Sequence, residues 1–363
     1  MTTSESSTVH GPTALTQQTA VTSHDVARAA GVSQSTVSRA LRDNPRISRT
    51  TRERVLAVAA ELGYVPNELG RSLARQSTKT VGIVVTDLTN VFYPYIIAPL
   101  HDELAALGYR MVLFTEGLES DAPPEEDMVR PLLDRLLDRA IDGVVLTTST
   151  LDGTVPRTLA LRGLPFVFLT RHVDGVIADR AEVDNSLGAS LAAGEAIRLG
   201  HTSIAAIFGP TNTSTGRDRE RGTRAALGAA GLALPDNMVF RGPFAVETGI
   251  AAMSQLLALD APPTVVLCSN DTVAIGAYNV ACATGMRVPE DISLVGFDDL
   301  PMAQWEVFQL TTVHQPMEDM ARAAARLLIE RIEGTAETNA VRQVVFEPRM
   351  VLRRTLGPPR PAQ

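Results

Sequence analysis

Two cysteines, a single lysine and an aromatic content of 4% set the first limits on this chain of 363 residues. Cys268 and Cys282, both in apolar surroundings, are too few for a disulfide framework and suit a reducing compartment, so a cytoplasmic protein is expected. No apolar run reaches the roughly 18 to 20 residues that a membrane span needs. Residues 1–20 are rich in Ser, Thr and Gln and have neither a basic n-region nor an apolar h-region, which argues against a secretory signal and for a disordered tail. With Lys79 as the one lysine, nearly all positive charge is arginine, as a GC-rich genome would produce.

A hydrophobic content of 45% is that of a globular protein, and the length calls for two or three domains. The net charge of -8 hides an uneven distribution. Residues 21–80 carry ten Lys/Arg against five Asp/Glu, a balance of +5, while residues 81–363 hold -12. A basic module on an acidic body is what a phosphate-binding domain attached to a separate regulatory domain should look like.

The basic stretch begins with a helical pattern over His24–Ala30, with Ser23 as N-cap, Asp25 in the first turn, an apolar face of Val26, Ala29 and Ala30, and Gly31 as the stop. Ser33 can cap a second helix from Gln34 to about Leu41. Two short helices joined by a glycine turn form a helix-turn-helix. Val37 and Leu41 then face inward, and Gln34, Ser35, Ser38, Arg39 and Arg42 face out. The N-terminal residues of such a second helix reach base edges in the major groove. Gln34 can pair with adenine, and Arg39 with guanine or a phosphate. Asp43-Asn44-Pro45 breaks the helix, and Ser48 caps a third that runs to Gly63. A small helical bundle with merely solvated arginines would share this spacing.

The order DVARAAGVSQSTVSRAL, ISRTTRERVLAVAAELGYVPN and a segment ending RSLA resembles the lactose/galactose-repressor (LacI/GalR) family of bacterial regulators, without a gap from Asp25 to Ala74 and more loosely to about Arg354. The resemblance implies DNA contacts from Thr22, Ser33, Gln34, Ser35, Thr36, Ser38 and Arg39. It also implies a hinge helix over Asn67–Ala74, in which Asn67, Arg71, Leu73 and Ala74 meet the minor groove and Leu73 wedges between base steps. Gly70 stands where the family commonly has alanine. Glycine in a helix costs roughly 0.5 to 1 kcal/mol relative to alanine, so this hinge should form reluctantly without DNA and a paired partner.

From Val81 the texture changes to apolar strands alternating with amphipathic helices, which means α/β architecture with doubly wound parallel sheets. Strands are expected near Val81–Thr86, Arg110–Phe114, Gly143–Thr147 and Phe166–Leu169, and in a second series near Ser203–Phe208, Met238–Phe240, Thr264–Cys268 and Ser293–Gly296. Two series argue two lobes with a ligand between them at the carboxyl ends of the strands. The pattern is similar to the periplasmic-binding-protein fold of the family's effector domain. The chain is expected back in the first lobe around Leu310–Val313, with a helix over Pro316–Glu333.

Candidate ligand residues follow the strands. Asp87 and Asn90 offer polar groups, and Phe92 and Tyr93 can stack on a sugar ring or serve as core of the next helix. The resemblance places Arg219, three residues before Gly222, where a planar guanidinium makes a forked bond to adjacent hydroxyls. It gives Asn270 and Asp298 to sugar hydroxyls, Phe244 to a covering aromatic and Gln315 to a polar group near the crossover. Asp271 reads as the cap of the following helix. Many relatives have Asp before the arginine at the end of the fourth strand; here Thr170 precedes Arg171, which leaves the ligand's identity open. The paired Asp298 and Asp299 would also permit acid/base catalysis or metal binding, but no nucleophile or ligand cluster accompanies them, so no catalytic residue, metal or cofactor is assigned.

The expected organisation is a tail (1–20), a helix-turn-helix DNA-binding domain (21–66), a hinge and linker (67–79), a two-lobed effector and dimerisation domain (80–355) and a flexible C-terminal tail (356–363). The expected function is sequence-specific transcriptional regulation, as a repressor of a near-palindromic double-stranded operator, controlled by a small effector such as a sugar. Without a terminal leucine heptad, a homodimer is the expected assembly. The alternatives are a purine- or nucleoside-type corepressor-dependent regulator and, in another class, a solute-binding protein without DNA function.

Overall fold

A computed structural model of the chain describes residues 21–41, 43–64, 77–86, 88–115, 126–138, 141–336 and 340–360. The expected tail 1–20, Arg42, Asp87 and the hinge residues Asn67, Gly70, Arg71, Leu73 and Ala74 lie outside the described residues. The chain divides into two compact units, Met1–Gln76 and Ser77–Gln363.

In the first unit α1 (Ser23–Ala30), α2 (Gln34–Ala40) and α3 (Arg49–Glu61) surround Val26, Ala27, Ala30, Val37, Ala40, Val55 and Ala59. The cap of α1 is Thr22 rather than Ser23: its hydroxyl accepts from the Asp25 amide at 3.4 Å, and its own amide donates to the Asp25 carboxylate at 3.0 Å. This reciprocal box satisfies two donors at once, which a Ser23 cap could not do. The apolar face is correspondingly turned. Ala27 is buried and Ala29 is exposed, because alanines at 27, 29 and 30 leave the phase of so short a helix undetermined by composition. Gly31, at φ +63°, ends α1, and Ser33 and Ser48 cap α2 and α3 through the Thr36 and Thr51 amides.

The second unit holds two lobes. In the first, β1 (Thr80–Val85), α4 (Tyr93–Ala106), β2 (Arg110–Thr115), α5 (Glu126–Asp138), β3 (Gly143–Leu146), α6 (Thr154–Leu161), β4 (Phe166–Leu169) and β5 (Asp179–Val183) follow in order. The second begins with α7 (Asn185–Arg198), β6 (Ile204–Phe208), α8 (Ser214–Ala229), β7 (Val239–Arg241), α9 (Val246–Leu257), β8 (Val265–Cys268), α10 (Asp271–Ala283), β9 (Ser293–Val295) and β10 (Thr312–His314). Then come α11 (Met317–Ile332) and β11 (Gln343–Phe346) in the first lobe and β12 (Arg349–Val351) in the second. The first sheet has the order β11-β5-β4-β3-β1-β2 and the second β7-β6-β8-β9, all parallel.

The return to the first lobe comes later than Leu310–Val313. β10 pairs antiparallel with β12 and bridges the β9 edge at Val295–Thr311 and Asp298–His314, so it belongs to the second lobe. Among the described residues the chain crosses between lobes after β5, after β10 and after β11. The C-terminal residues 356–360 are not loose: the Gly357 carbonyl accepts from the His201 ring at 2.8 Å, and its amide donates to Ser293 Oγ at 3.2 Å. Of the two thiols Cys268 is buried, which raises its pKa, whereas Cys282 is exposed.

Candidate functional site

Parallel strands deliver their carboxyl ends to the same edge of each lobe, and the two edges face each other. Asn90 follows β1, Thr147 follows β3, and Thr170 and Arg171 follow β4. From the other lobe, Thr215 opens α8, Asn270 follows β8 and Asp298 follows β9. Together with Phe92, Tyr93, Arg219, Phe244 and Gln315 they line one cleft of about 420 Å³, open solvent at its mouth included. Every ligand candidate read from the sequence within the described residues is on this wall. Thr147 and Thr215 were missed, although Thr147 closes an apolar run at the same strand end as Asn270 does.

The cleft is built around Arg219, on the second turn of α8. Its Nε donates to Asn185 Oδ1 at 2.8 Å, one terminal nitrogen to the Ser269 carbonyl at 2.6 Å and the other to Asp298 Oδ1 at 3.2 Å. The guanidinium lies 3.6 Å from the centroid of the Phe297 ring, and Gln315 Nε2 also donates to Asp298 Oδ1, at 2.7 Å. A guanidinium has five N–H donors, so these bonds leave one on each terminal nitrogen for a ligand. Burial pushes the Asp298 carboxyl up to about 6 against the opposing pull of Arg219 and Gln315. Burial also lowers the Arg219 pKa, but a guanidinium stays protonated in proteins, so Asp298 is the partner that titrates.

Asp271 does not cap α10; Asn270 does, accepting from the Val273 amide at 2.9 Å. Asn and Asp are equally good caps, and the pair could not be ordered from sequence. Asp271 is instead fully buried, takes the Leu300 amide at 2.7 Å and the Thr312 hydroxyl at 2.5 Å, and has its pKa raised well above the usual range by burial and by Asp298. It braces the turn that carries Asp298, whose φ is +115°. Gly209, at the end of β6, is required by close approach: a Cβ there would stand 2.3 Å from the Phe244 ring.

Thr170 occupies the left-handed region at φ +71°, unusual for a β-branched residue, and donates to the Thr147 carbonyl at 3.2 Å. Across the mouth of the cleft the lobes are tied by Asn90 Nδ2 to the Phe244 carbonyl at 3.4 Å, the Leu151 amide to the Asn212 carbonyl at 2.8 Å and the His172 amide to Ser214 Oγ at 3.0 Å. An ion pair of Asp174 with Arg217 adds to them.

On the first unit, Thr22, Ser33, Gln34, Ser35 and Arg39 are exposed, and Thr36 and Ser38 are half-buried. Gln34 Nε2 rests on Ser23 Oγ at 3.4 Å, and Ser33 shares its hydroxyl with Ser35 and Thr36 at 2.9 and 2.8 Å.

A helix-turn-helix in one unit and a binding-protein cleft in the other define a ligand-responsive DNA-binding protein. Residues 22–67 match the family described as bacterial regulatory proteins, lacI family, and residues 193–356 match the periplasmic binding protein-like domain. The HTH-type transcriptional repressor PurR of Photobacterium profundum is 31% identical over 92% of this chain and 97% of its own length. Among solved structures, a complex of the transcriptional regulator CelR with cellobiose is 33% identical, covering 92% of this chain and 99% of that one, with a TM-score of 0.69. The Lac repressor dimer bound to operator and an anti-inducer superposes with a TM-score of 0.81 at 26% identity, covering 93% of this chain and 99% of that one. The chain belongs to the LacI family: it is a DNA-binding transcriptional regulator and not an enzyme. Among the described residues no helix is long and apolar enough to cross a membrane.

Proposed function

We propose that this regulator acts as a cytoplasmic homodimeric repressor on a near-palindromic operator, and that a small polyhydroxylated effector in the interlobe cleft sets its grip on DNA. The observation that carries the effector assignment is the Arg219 fork, with one N–H left on each terminal nitrogen and Asp298 beside it. Adjacent hydroxyls of a sugar match that spacing, Asn270 and Gln315 extend the polar wall, and Phe92 and Phe244 offer faces for the ring's C–H groups. The cellobiose held by the CelR relative points the same way. A purine-type corepressor is the second reading, favoured by the three aromatics on the wall and by threonine at position 170.

Asp87 joins the proposed ligand set, and Arg171 and Tyr93 complete it. For DNA, Gln34, Ser35 and Arg39 are assigned to base edges, with Thr22, Ser33, Thr36 and Ser38 around them. Residues 67–79 are assigned to the hinge and linker, with Asn67, Arg71, Leu73 and Ala74 in the minor groove. Leu73→Ala should weaken operator binding and leave effector affinity intact; equal operator affinity in the two proteins would refute the wedge.

Two assays test the proposal. Purified protein should shift a two-fold DNA site selected from a random pool, with an affinity that falls steeply with salt. A thermal-shift screen over sugars and purines should find a ligand that raises the unfolding temperature. Absence of any site-specific, salt-sensitive shift rejects the repressor assignment, and a hit confined to purines rejects the sugar.

A further inference from the structure

The point where the chain enters the second unit is gripped by one carboxylate. Asp142, immediately before β3, accepts four hydrogen bonds from three consecutive residues. The Thr78 amide and hydroxyl reach Oδ1 at 2.7 and 2.8 Å, and the Ser77 hydroxyl and Lys79 amide reach Oδ2 at 2.5 and 2.8 Å. Two oxygens of an ionised carboxylate offer about four acceptor sites, and all four are taken. Lys79, at φ +49°, adds a second grip: its ammonium donates to Glu333 at 2.8 Å and to the Tyr109 hydroxyl at 3.0 Å, and lies 4.2 Å from the centroid of the Tyr109 ring.

The elements that meet at this clamp are those that end at the cleft. β1 starts at Thr80 and leads to Thr86, whose hydroxyl bonds that of Tyr93 on the cleft wall at 2.8 Å. β3 starts beside Asp142 and leads to Thr147. α11 starts just after Gln315 and is capped at its far end by Glu333, and its Leu328 and Ile332 press on Gly143 so closely that a Cβ there would stand 3.0 and 2.9 Å away. Burial disfavours the charged form of Asp142, but the bonds from Ser77, Thr78 and Lys79 outweigh it and hold its pKa below the usual carboxylate range.

We propose that Asp142 is a positioning residue that fixes the segment 77–79 to the first lobe, and that this anchorage is how the effector core governs the DNA-binding end of the chain. The second half rests on the regulatory function proposed above. Coupling between sites needs an element that both can bias, and an anchored segment 77–79 moves with the first lobe.

The test is hydrogen exchange and DNA binding on the full-length protein and on two variants. Asp142→Asn puts an amide donor where an acceptor stood; Ser77→Ala with Thr78→Val removes side-chain donors and leaves β3 untouched. Hydrogen bonds to charged groups are strong enough that exchange at the Thr78 and Lys79 amides should accelerate by about tenfold or more in Asp142→Asn, with β3 amides unchanged. Affinity for the selected two-fold site should change by about threefold or more in both variants. Unaltered exchange at Thr78 and Lys79, or equal acceleration in β3, overturns the anchor. Released amides with unchanged DNA affinity overturn its role in regulation. Exchange does not depend on DNA, and the wild-type shift alone judges the functional reading, so the two failures are distinguishable.

Discussion

On the helix-turn-helix unit the side chains proposed for base contacts stand in solvent: Gln34, Ser35 and Arg39 are exposed and sit on a core made largely of alanine and valine. In the cleft the central group is buried and bonded within the protein, with Arg219 held by Asn185, Ser269 and Asp298. The difference suits the partners proposed for the two regions. DNA is a large polyanion that is found by charge and read by side chains that adapt on contact, whereas a small neutral molecule must repay its immobilisation on few contacts and needs donors fixed in advance.

The largest effect that separates the two regions is expected from Arg219→Ala. It leaves Asp298 buried without its cation, and breaking a buried pair in this way costs about 3 to 5 kcal/mol. The ligand-induced thermal shift should vanish, while DNA binding persists at a temperature where the variant is folded. A surviving ligand response would show that the cleft is built on some other residue.

The second effect is one of pH. A carboxyl whose folded pKa is raised to about 6 contributes stability that is present below its unfolded pKa and is lost as pH rises to the folded value. The stability difference between wild type and Asp298→Asn should therefore change mainly between pH values of about 4 and 6. Ligand affinity should increase as Asp298 ionises and can accept from hydroxyls. Urea unfolding of both proteins across that range checks the first point, and a difference that is flat with pH would contradict it.

On the exposed side, Gln34→Ala and Arg39→Ala should each reduce discrimination at one base position by about 1 to 3 kcal/mol with no change in ligand binding. Competition between the selected site and its single-base variants measures this. The smallest effect concerns stability alone. Thr22→Ala removes the box on α1 and should cost about 1 kcal/mol in unfolding of the first unit, whereas Ser23→Ala should cost much less. Equal losses would return the cap to Ser23.

The same contrast explains what could be read in advance. The cleft was legible as a set of positions because a parallel α/β sheet presents its strand ends, which brings Asn90, Arg171, Asn270 and Asp298 into view, while the choice of Asn270 over Asp271 and of Asp298 over Asp299 came from the family resemblance. Residues acting from behind were not legible. Asn185 reaches Arg219 from the start of the neighbouring helix α7, and Asp271 braces the Asp298 turn through Leu300 and Thr312, contacts that no local pattern encodes. β5, β11 and β12 escaped notice for a related reason. Each carries charged or polar residues instead of a clean apolar run and lies beside a crossing point, and β11 and β12 find their partners far back in the chain. In the first unit the capping residue was placed one position late because Thr22 and Ser23 are both good caps, and only the reciprocal bond to Asp25 distinguishes them.

Occupancy of the cleft should change the grip on DNA. This is tested most directly by titrating wild-type protein into the selected two-fold DNA site, with and without a saturating concentration of whichever sugar raises its unfolding temperature. The binding midpoint should shift by about fivefold or more, the range of typical coupling free energies. Superimposable isotherms, with the ligand shown to be bound, would contradict it.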